Sequence, residues 1–440
     1  MDTRKIKRRD FVKGMAVAAI GAPMIVPSTI FGQNAPSNRL TMGQIGVGNM
    51  GTTNMKEFLK REDVQVLAIC DLDQKRAEVG KKTVEDAYAQ KSPSGTYKGC
   101  DLIHDFREII GRKDIDFISI AVPDHWHSIP AITAANAGKD LYAEKPLALT
   151  IPQGRAMCDA VARNKVIWQT GSWQRSEKNF HDACELVRNG RIGKVHTVYV
   201  GLPTGSPLNE PAPEMPVPEG FDYNFWLGPA PWAPYTEKRC HWNFRWILDY
   251  SGGQLSDWAA HHVDIANWGM GTEHTGPVEV EGKGEFPREG LWNASTSYHF
   301  QCRYAVGFTM IVMNDKAEVD GKPLRNGVKF VGDKGWLWVA RGGEIASQPE
   351  NVITSIIDTN ETHLYRSNNH YANFIDCVRS RKETIAPIEH AQRAVSVAHL
   401  GNISMQLGRK IKFNPAREQI VGDPEAERMI DRAMRSPWHV

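Results

Sequence analysis

The chain lacks a disulfide pattern, an excess of charge of either sign and an apolar run long enough for a membrane. Its seven cysteines stand at 70, 100, 158, 184, 240, 302 and 377. They are odd in number and scattered, with no CxxC pair, so neither a zinc knuckle nor a disulfide framework is indicated. The 53 basic and 51 acidic side chains leave a formal charge of +2 with no basic stripe, which argues against a nucleic-acid partner. No internal repeat is found. The early apolar stretch from Met15 to about Val26 is broken by Gly21 and Pro23, too short to span a bilayer comfortably. At 440 residues the chain can bury a sizeable core, and two domains are expected.

What is present begins with LTMGQIGVGNMG, residues 40 to 51. An apolar, strand-like start runs into Gly46, Gly48 and Gly51, the GxGxxG spacing, and the residues from Thr52 to Arg61 can form a helix. Strand, glycine turn and helix are the context a dinucleotide-binding fingerprint requires. Gly46 allows the tight turn, Gly48 lets a pyrophosphate approach the backbone, and Gly51 lets helix and strand pack closely. Asn49 and Met50 open the helix, whose free N–H groups suit phosphate oxygens. A second apolar run, VQVLAIC, ends at Asp71. A carboxylate there accepts hydrogen bonds from ribose hydroxyls and repels a 2′-phosphate, so NAD is expected over NADP.

The apolar stretch near the start follows Arg8-Arg9-Asp10-Phe11-Val12-Lys13. A basic start, an arginine pair and a short apolar segment have the form of a twin-arginine signal, and a periplasmic location is expected. No cysteine lies near the end of that segment, so no lipid anchor is suggested. This route carries folded proteins, which suits a protein loaded with its dinucleotide in the cytoplasm. Residues 1–36 are set apart on this reading.

From 37 to 170, four-to-seven-residue apolar strands alternate with amphipathic helices, which predicts a doubly wound parallel sheet, a Rossmann domain. From 171 to 415 the character changes. Nine of the thirteen Trp fall at 168, 173, 226, 232, 242, 246, 258, 268 and 292, and residues 203 to 234 are rich in Pro. Strand-like runs at 195–200, 278–282, 295–303, 307–313, 328–331 and 336–339 alternate polar with apolar. They predict an α+β domain with a large, mostly antiparallel open sheet covered on one face. Helices are expected at 254–268, 369–380 and 389–407. The polar tail, 416–440, is expected to wrap back on the first domain.

Three stretches carry a resemblance: GQIGVGNMG with Asp71, AVPDHWHSIPAITAANAGKDLYAEKPLALT, and SGGQLSDWAAHHVDIANW. Together they resemble the Gfo/Idh/MocA oxidoreductases, over most of the chain. The resemblance implies NAD-dependent chemistry on sugars or cyclitols, and relatives include glycosidases that use NAD transiently. It places Lys145, before a cis bond to Pro146, beside the nicotinamide and the reacting hydroxyl. It places Asp257 and His261, at i and i+4 on one helix face, with His261 taking the hydroxyl proton and Asp257 orienting it or binding a neighbouring hydroxyl. Pro123 and His127 are implied to lie against the cofactor, with His125 and Glu144 near it and Trp126 able to stack on it. His125-x-His127 also reads as a metal pair along a strand, but no third ligand is evident, and no metal is expected. Asp264 matches the family pattern and reads as structural. Trp173, Arg175, Arg245 and Asp249 are candidates for a carbohydrate, since aromatic faces pack on pyranose rings.

Three functions stay open at this point. One is an exported oxidoreductase with tightly held NAD acting on a sugar, since free NAD is scarce in a periplasm. The second is a glycoside-cleaving enzyme that oxidises, eliminates and re-reduces. The third is a non-catalytic sugar-binding protein on the same fold. A homo-oligomer through the C-terminal sheet is expected. Export has its own test: Arg8→Lys with Arg9→Lys is expected to hold the protein in the cytoplasm, and undiminished periplasmic recovery would end that reading.

Overall fold

Short apolar strands and capped helices build a parallel sheet at the start of the chain. The computed structural model describes residues 38–319 and 321–440; the stretch read as an export signal, 1–36, lies outside them. Strands β1 (Leu40–Ile45), β2 (Val64–Cys70), β3 (Asp101–Ile103), β4 (Phe117–Ile120), β5 (Asp140–Ala143) and β6 (Trp168–Thr170) run in the order 3-2-1-4-5-6, all parallel. The order reverses between β1 and β4. Ligands of open α/β sheets bind at such a point, beyond the carboxyl ends of the strands. Helices α1 (Asn49–Leu59), α2 (Gln74–Ala89), α3 (Phe106–Gly111), α4 (Ser128–Asn136) and α5 (Ile151–Asn164) pack on the sheet. Side chains cap three of them: Asp73 accepts from the Lys75 and Arg76 N–H groups before α2, Asp105 from Arg107 before α3, and Thr150 from Gln153 before α5.

The second half holds α6 (Lys178–Arg188), β7 (Val195–Leu202), α7 (Tyr223–Leu227), α8 (Gly253–Met270), β8 (Glu279–Glu285), β9 (Ser297–Arg303) and β10 (Thr309–Asn314). A small hairpin, β11 (Glu318–Val319) and β12 (Lys322–Pro323), precedes β13 (Gly327–Gly332), β14 (Gly335–Val339) and β15 (Ile345–Gln348). Helices α9 (His370–Ser380) and α10 (Ile388–Leu407), strands β16 (Ile411–Asn414) and β17 (Gln419–Ile420) and helix α11 (Pro424–Arg428) complete it. Nine strands form one sheet, ordered 15-14-13-7-10-9-8-16-17. Pairing is antiparallel except between β10 and β7. Along β9, Tyr298, Phe300 and Cys302 are buried while His299, Gln301 and Arg303 are exposed. The buried face packs on α8 and α10 through Ala259, Val263, Val397 and Leu400 against Val198, Met310 and Phe330. No helix among the described residues is long and apolar enough to cross a membrane.

The two halves interlock. From α9, Phe374 packs on Phe117, with ring centroids 5.2 Å apart, and on Tyr142 at 5.8 Å, so a helix from late in the chain completes the core of the first sheet. The tail also returns to the first domain, where Trp438 meets Trp126 at 4.8 Å and Phe106 at 6.4 Å. Sequence pattern missed α6, β15 and β16. The two strands run only four residues each, too few for a clear period of two.

Arg175 overturns one expectation. It reads from the sequence as a substrate contact, yet it is 2% exposed and holds Asp264 of α8 with both arms of its fork. Nε donates to Oδ2 at 2.6 Å and Nη2 to Oδ1 at 2.8 Å, while the guanidinium lies 4.9 Å from the Trp268 ring. Asp264 is structural here, as its position suggested. Removing one partner of such a pair leaves a buried charge uncompensated. Asp264→Ala is therefore expected to destabilise the protein by about 3–5 kcal/mol in denaturant melts. A loss within about 0.5 kcal/mol, the range of ordinary surface substitutions, would show that the pair does not anchor α8.

Candidate active site

The loop after β1 is shaped by two glycines. Gly46 has φ +82, and a Cβ there would sit 2.2 Å from the Ala121 carbonyl oxygen; one on Gly51 would sit 2.0 Å from the Gly46 oxygen. Only hydrogen fits at either place, so the turn and the close seat of α1 against it depend on these residues. α1 starts at Gly48 without a side-chain cap and with no acidic residue in its first turn. Its end therefore offers free N–H groups to an anion. Asp71 follows β2. Its Oδ2 accepts the Val47 N–H at 2.9 Å and its Oδ1 the Asp73 N–H at 2.9 Å, which leaves lone pairs on both oxygens. Burial pushes the Asp71 carboxyl up, and those two N–H groups and Arg76 oppose the shift. A glycine cradle, an uncapped helix end and an acceptor-only carboxylate at the far side fit a dinucleotide.

One cleft joins this cradle to the next group of residues. It is lined by Gly46, Gly48, Asn49, Met50 and Asp71, by Pro123 and Trp126 after β4, by Glu144 and Lys145 after β5, and by Asp257 and Arg245 from the second domain. Gly51 lies buried behind its wall. The Lys145–Pro146 bond is cis, and Lys145 Nζ donates to Asp257 Oδ1 at 2.5 Å. Burial works to raise the Asp257 carboxyl, but Lys145, Arg245 and Arg341 outweigh it and hold the group below its ordinary range. Glu144 is 4% exposed; its Oε1 accepts from the Asn54 amide at 2.9 Å, and Asn54 is in turn held by Tyr371. Burial raises the Glu144 carboxyl, with Lys145, Asn54 and His127 opposing.

Several expected residues sit elsewhere. His125 is 1% exposed, its Nε2 is 3.0 Å from the Trp226 carbonyl oxygen, and burial pushes it down to about 4. His127 lies between two carbonyl oxygens, Nε2 2.8 Å from that of Val122 and Nδ1 3.3 Å from that of Leu147. Neither lines the cleft. The short helical turn from Asp124 to Trp126 folds both imidazoles onto backbone, so they tie the wall of the cleft together and do not face a cofactor. Among the described residues no group of three His, Cys, Asp or Glu side chains could hold a metal ion. Trp126 reaches the cleft, but its Nε1 donates to the Trp226 oxygen at 2.8 Å and its ring sits among Phe106, Phe225 and Trp438. It is packed in an aromatic cluster and cannot offer a free stacking face.

His261 also lies outside the residues that line the cleft. It is 4% exposed between Trp173, at 6.4 Å, and Trp258, at 6.0 Å. Burial first, then Lys145, Arg341 and His262, push the imidazole well below its ordinary pKa. Burial thus disfavours the protonated ring at the position to which the resemblance assigns a proton acceptor. Trp173 faces His261 and stacks at 4.6 Å on Arg341, which is equally close to Trp258. Arg245 lies 3.7 Å from the ring of Trp242 at the cleft. Asp249 is exposed and outside the cleft lining.

Sequence reasoning missed Asp124, Trp242 and Arg341. Asp124 had a visible signal: an acid at the carboxyl end of a buried parallel strand, one residue beyond Pro123. Arg341 and Trp242 had none, because only the fold brings them to the site.

The cofactor end carries a direct test. Asp71→Ser removes a charged acceptor from the ribose side. It is expected to weaken NAD binding about tenfold or more, the scale of one hydrogen bond to a charged group, and to relax discrimination against NADP. Calorimetry on protein stripped of nucleotide measures both. Tighter NADP than NAD in the unmutated protein would refute the assignment.

Comparison with known proteins agrees with this geometry. Residues 40–172 match the model of the oxidoreductase family's NAD-binding Rossmann fold, and residues 207–440 match its C-terminal alpha/beta domain. An alpha-N-acetylgalactosaminidase of Shewanella oneidensis is 30% identical over 211 residues, 43% of this chain and 44% of that protein. A glycosyl hydrolase family 109 protein of Shewanella baltica is 29% identical over the same shares. The match thus spans less than half the length of these curated relatives. Among solved structures, the WlbA dehydrogenase of Bordetella pertussis, in complex with NADH and UDP-GlcNAcA, superposes with a TM-score of 0.61 at 16% identity, covering 86% of this chain and 99% of that one. The aldose-aldose oxidoreductase of Caulobacter crescentus, complexed with glycerol, gives 0.61 at 18% identity, covering 85% and 100%. At these identities the likeness is one of fold. The two family models together cover both domains, and the chain belongs to the Gfo/Idh/MocA oxidoreductase family, with that family's NAD-binding Rossmann domain and its C-terminal alpha/beta domain.

Proposed function

We propose that this protein oxidises a hydroxyl-bearing carbon of a sugar, cyclitol or glycoside with NAD it retains through turnover. The observation that carries the reading is the Lys145–Asp257 pair, 2.5 Å apart, in the same cleft as the glycine cradle and Asp71. The backbone from Gly46 to Gly51 and the Asp71 carboxylate would hold the dinucleotide, and bound NAD would supply a hydride acceptor. The chain's residues then manage the proton. The Lys145 ammonium passes a proton to Asp257 as Nζ takes the one from the substrate hydroxyl, a relay along their 2.5 Å contact. Neutral His261, set between Trp173 and Trp258, adds no second charge beside that ammonium.

Retention of NAD is supported by what closes the cleft. Phe221, Phe225, His241, Trp242 and Phe244 of the second domain line it opposite the cradle. Backbone bonds fasten this roof to the first domain, from the Gln74 N–H to the Gly220 oxygen at 2.9 Å and from the Asp222 N–H to the Leu72 oxygen at 3.0 Å. A nucleotide seated beneath it leaves only when those contacts open. Arg8-Arg9 and the apolar run after them favour export, where a retained cofactor is an advantage. A second copy docking on the open face of the nine-stranded sheet, where Ile311 and Trp336 are half-buried, would give the expected homo-oligomer.

A second reading has its own support. The curated relatives matched over this stretch are named for glycoside cleavage, one of them an alpha-N-acetylgalactosaminidase. The same oxidation then serves as a first step: it acidifies the neighbouring C–H, and the glycosidic bond is lost by elimination without net redox change.

Lys145 tests the common step. Lys145→Met is expected to lower turnover by about a hundredfold or more, the usual loss for an acid–base group. NAD binding should stay near normal, because the glycine cradle and Asp71 are untouched. Formation of NADH at the ordinary rate by this variant would overturn the assignment and favour a non-catalytic, sugar-binding role.

A further inference from the structure

We propose that Asp124 is a further catalytic residue, the base that takes the proton next to the newly formed carbonyl; the proposal rests on the glycoside-cleaving reading. That reaction needs two acid–base groups, one for the hydroxyl and one for the adjacent carbon. The cleft holds few candidates for the second. Lys145 and Asp257 are bound to each other at 2.5 Å. Glu144 is held by Asn54 at 2.9 Å, Asp71 by two backbone N–H groups, Asp73 by Arg76 at 3.3 Å, His104 by Asp222 at 2.9 Å, and His241 lies 3.8 Å from Asp73. Asp124 lines the same cleft, is 4% exposed, and has no ion pair among the described residues.

Its surroundings poise it. The groups that act on it are the Ser251 hydroxyl, Asp257 from α8, Arg245 from the turn at 241–246, and Lys145 after β5. Burial, with Asp257 adding to it, pushes the carboxyl up to about 7, against Ser251, Arg245 and Lys145. A carboxyl poised near neutrality can both take a proton and give it back, which is where an acid–base catalyst is most effective. Once the C3 hydroxyl has become a ketone, the Asp124 carboxylate removes the C2 proton. The C1–O bond breaks with its electron pair going to the leaving oxygen, which takes a proton from water, and a C1=C2 double bond forms beside the ketone. Water then adds at C1, protonated Asp124 returns a proton to C2, and the Lys145–Asp257 pair gives its proton back to the C3 oxygen, where bound NADH would return the hydride to carbon.

The test uses the whole nucleotide-loaded protein and a panel of 4-nitrophenyl glycosides, α-N-acetylgalactosaminide among them. Three signals are read: the NADH absorbance burst, exchange of the C2 hydrogen for solvent deuterium, and release of 4-nitrophenol. Asp124→Asn is expected to keep the burst while exchange and release each fall by about a hundredfold or more. The ionisation near 7 should vanish from its pH profile. Ser251→Ala is the milder variant. It removes a hydrogen bond that favours the carboxylate, so the rise of activity with pH should move to higher pH. Exchange at the wild-type rate in Asp124→Asn, or an unmoved profile in Ser251→Ala, would overturn the role of Asp124 alone. A wild-type burst without exchange or release would instead remove the cleavage reading, and this proposal with it.

Discussion

The pairing of Lys145 with Asp257 is the contact on which the site depends. The lysine stands at the carboxyl end of a strand in the parallel sheet, and the aspartate on a helix of the second domain. A buried charge pair is worth having only when its geometry is held, because both ions have given up water. The pair thus requires the two domains to be docked. It also sets both charges at the cleft beside the glycine cradle.

Helix α8 delivers that geometry. Asp257, His261 and Asp264 fall at i, i+4 and i+7, on one face of the helix. Asp264 is gripped by Arg175, which lies in the turn just after the last strand of the first sheet. One end of the face is thereby anchored, and the other brings Asp257 to Lys145. Between them His261 is enclosed by indole rings and kept neutral by burial beside two cations. The helix carries one ion pair in the core and one at the cleft.

The roof of the cleft is the other constraint. An isolated Rossmann sheet presents its dinucleotide at an open edge. Here the Pro-rich insertion returns across that edge, with Phe221 bridging to Asp73 and the 241–246 turn placing Trp242 and Arg245 at the site. Glycine cradle, Lys145–Asp257 pair and roof come from three parts of the chain and meet only in the fold. The late helix α9 and the Trp438 tail brace the first domain from two sides.

Local pattern was enough for much of this. The GxGxxG turn, Asp71, the alternation of strand and helix and the one-sided strands of the second domain were legible, because each depends on residues close in sequence. So was the motif that carries Lys145. The contacts of Arg175, His125 and His127 were not legible. An arginine reads alike whether its fork faces a sugar or a buried aspartate, and a histidine whether its ring faces a cofactor or a carbonyl. The sequence by itself determined the folds of the two domains and the end of the cleft where a dinucleotide sits, through backbone sterics and periodic burial. Only the tertiary structure decided which charges face the cleft and which are consumed in holding it together, because burial and the distance to an opposite charge are properties of the folded chain.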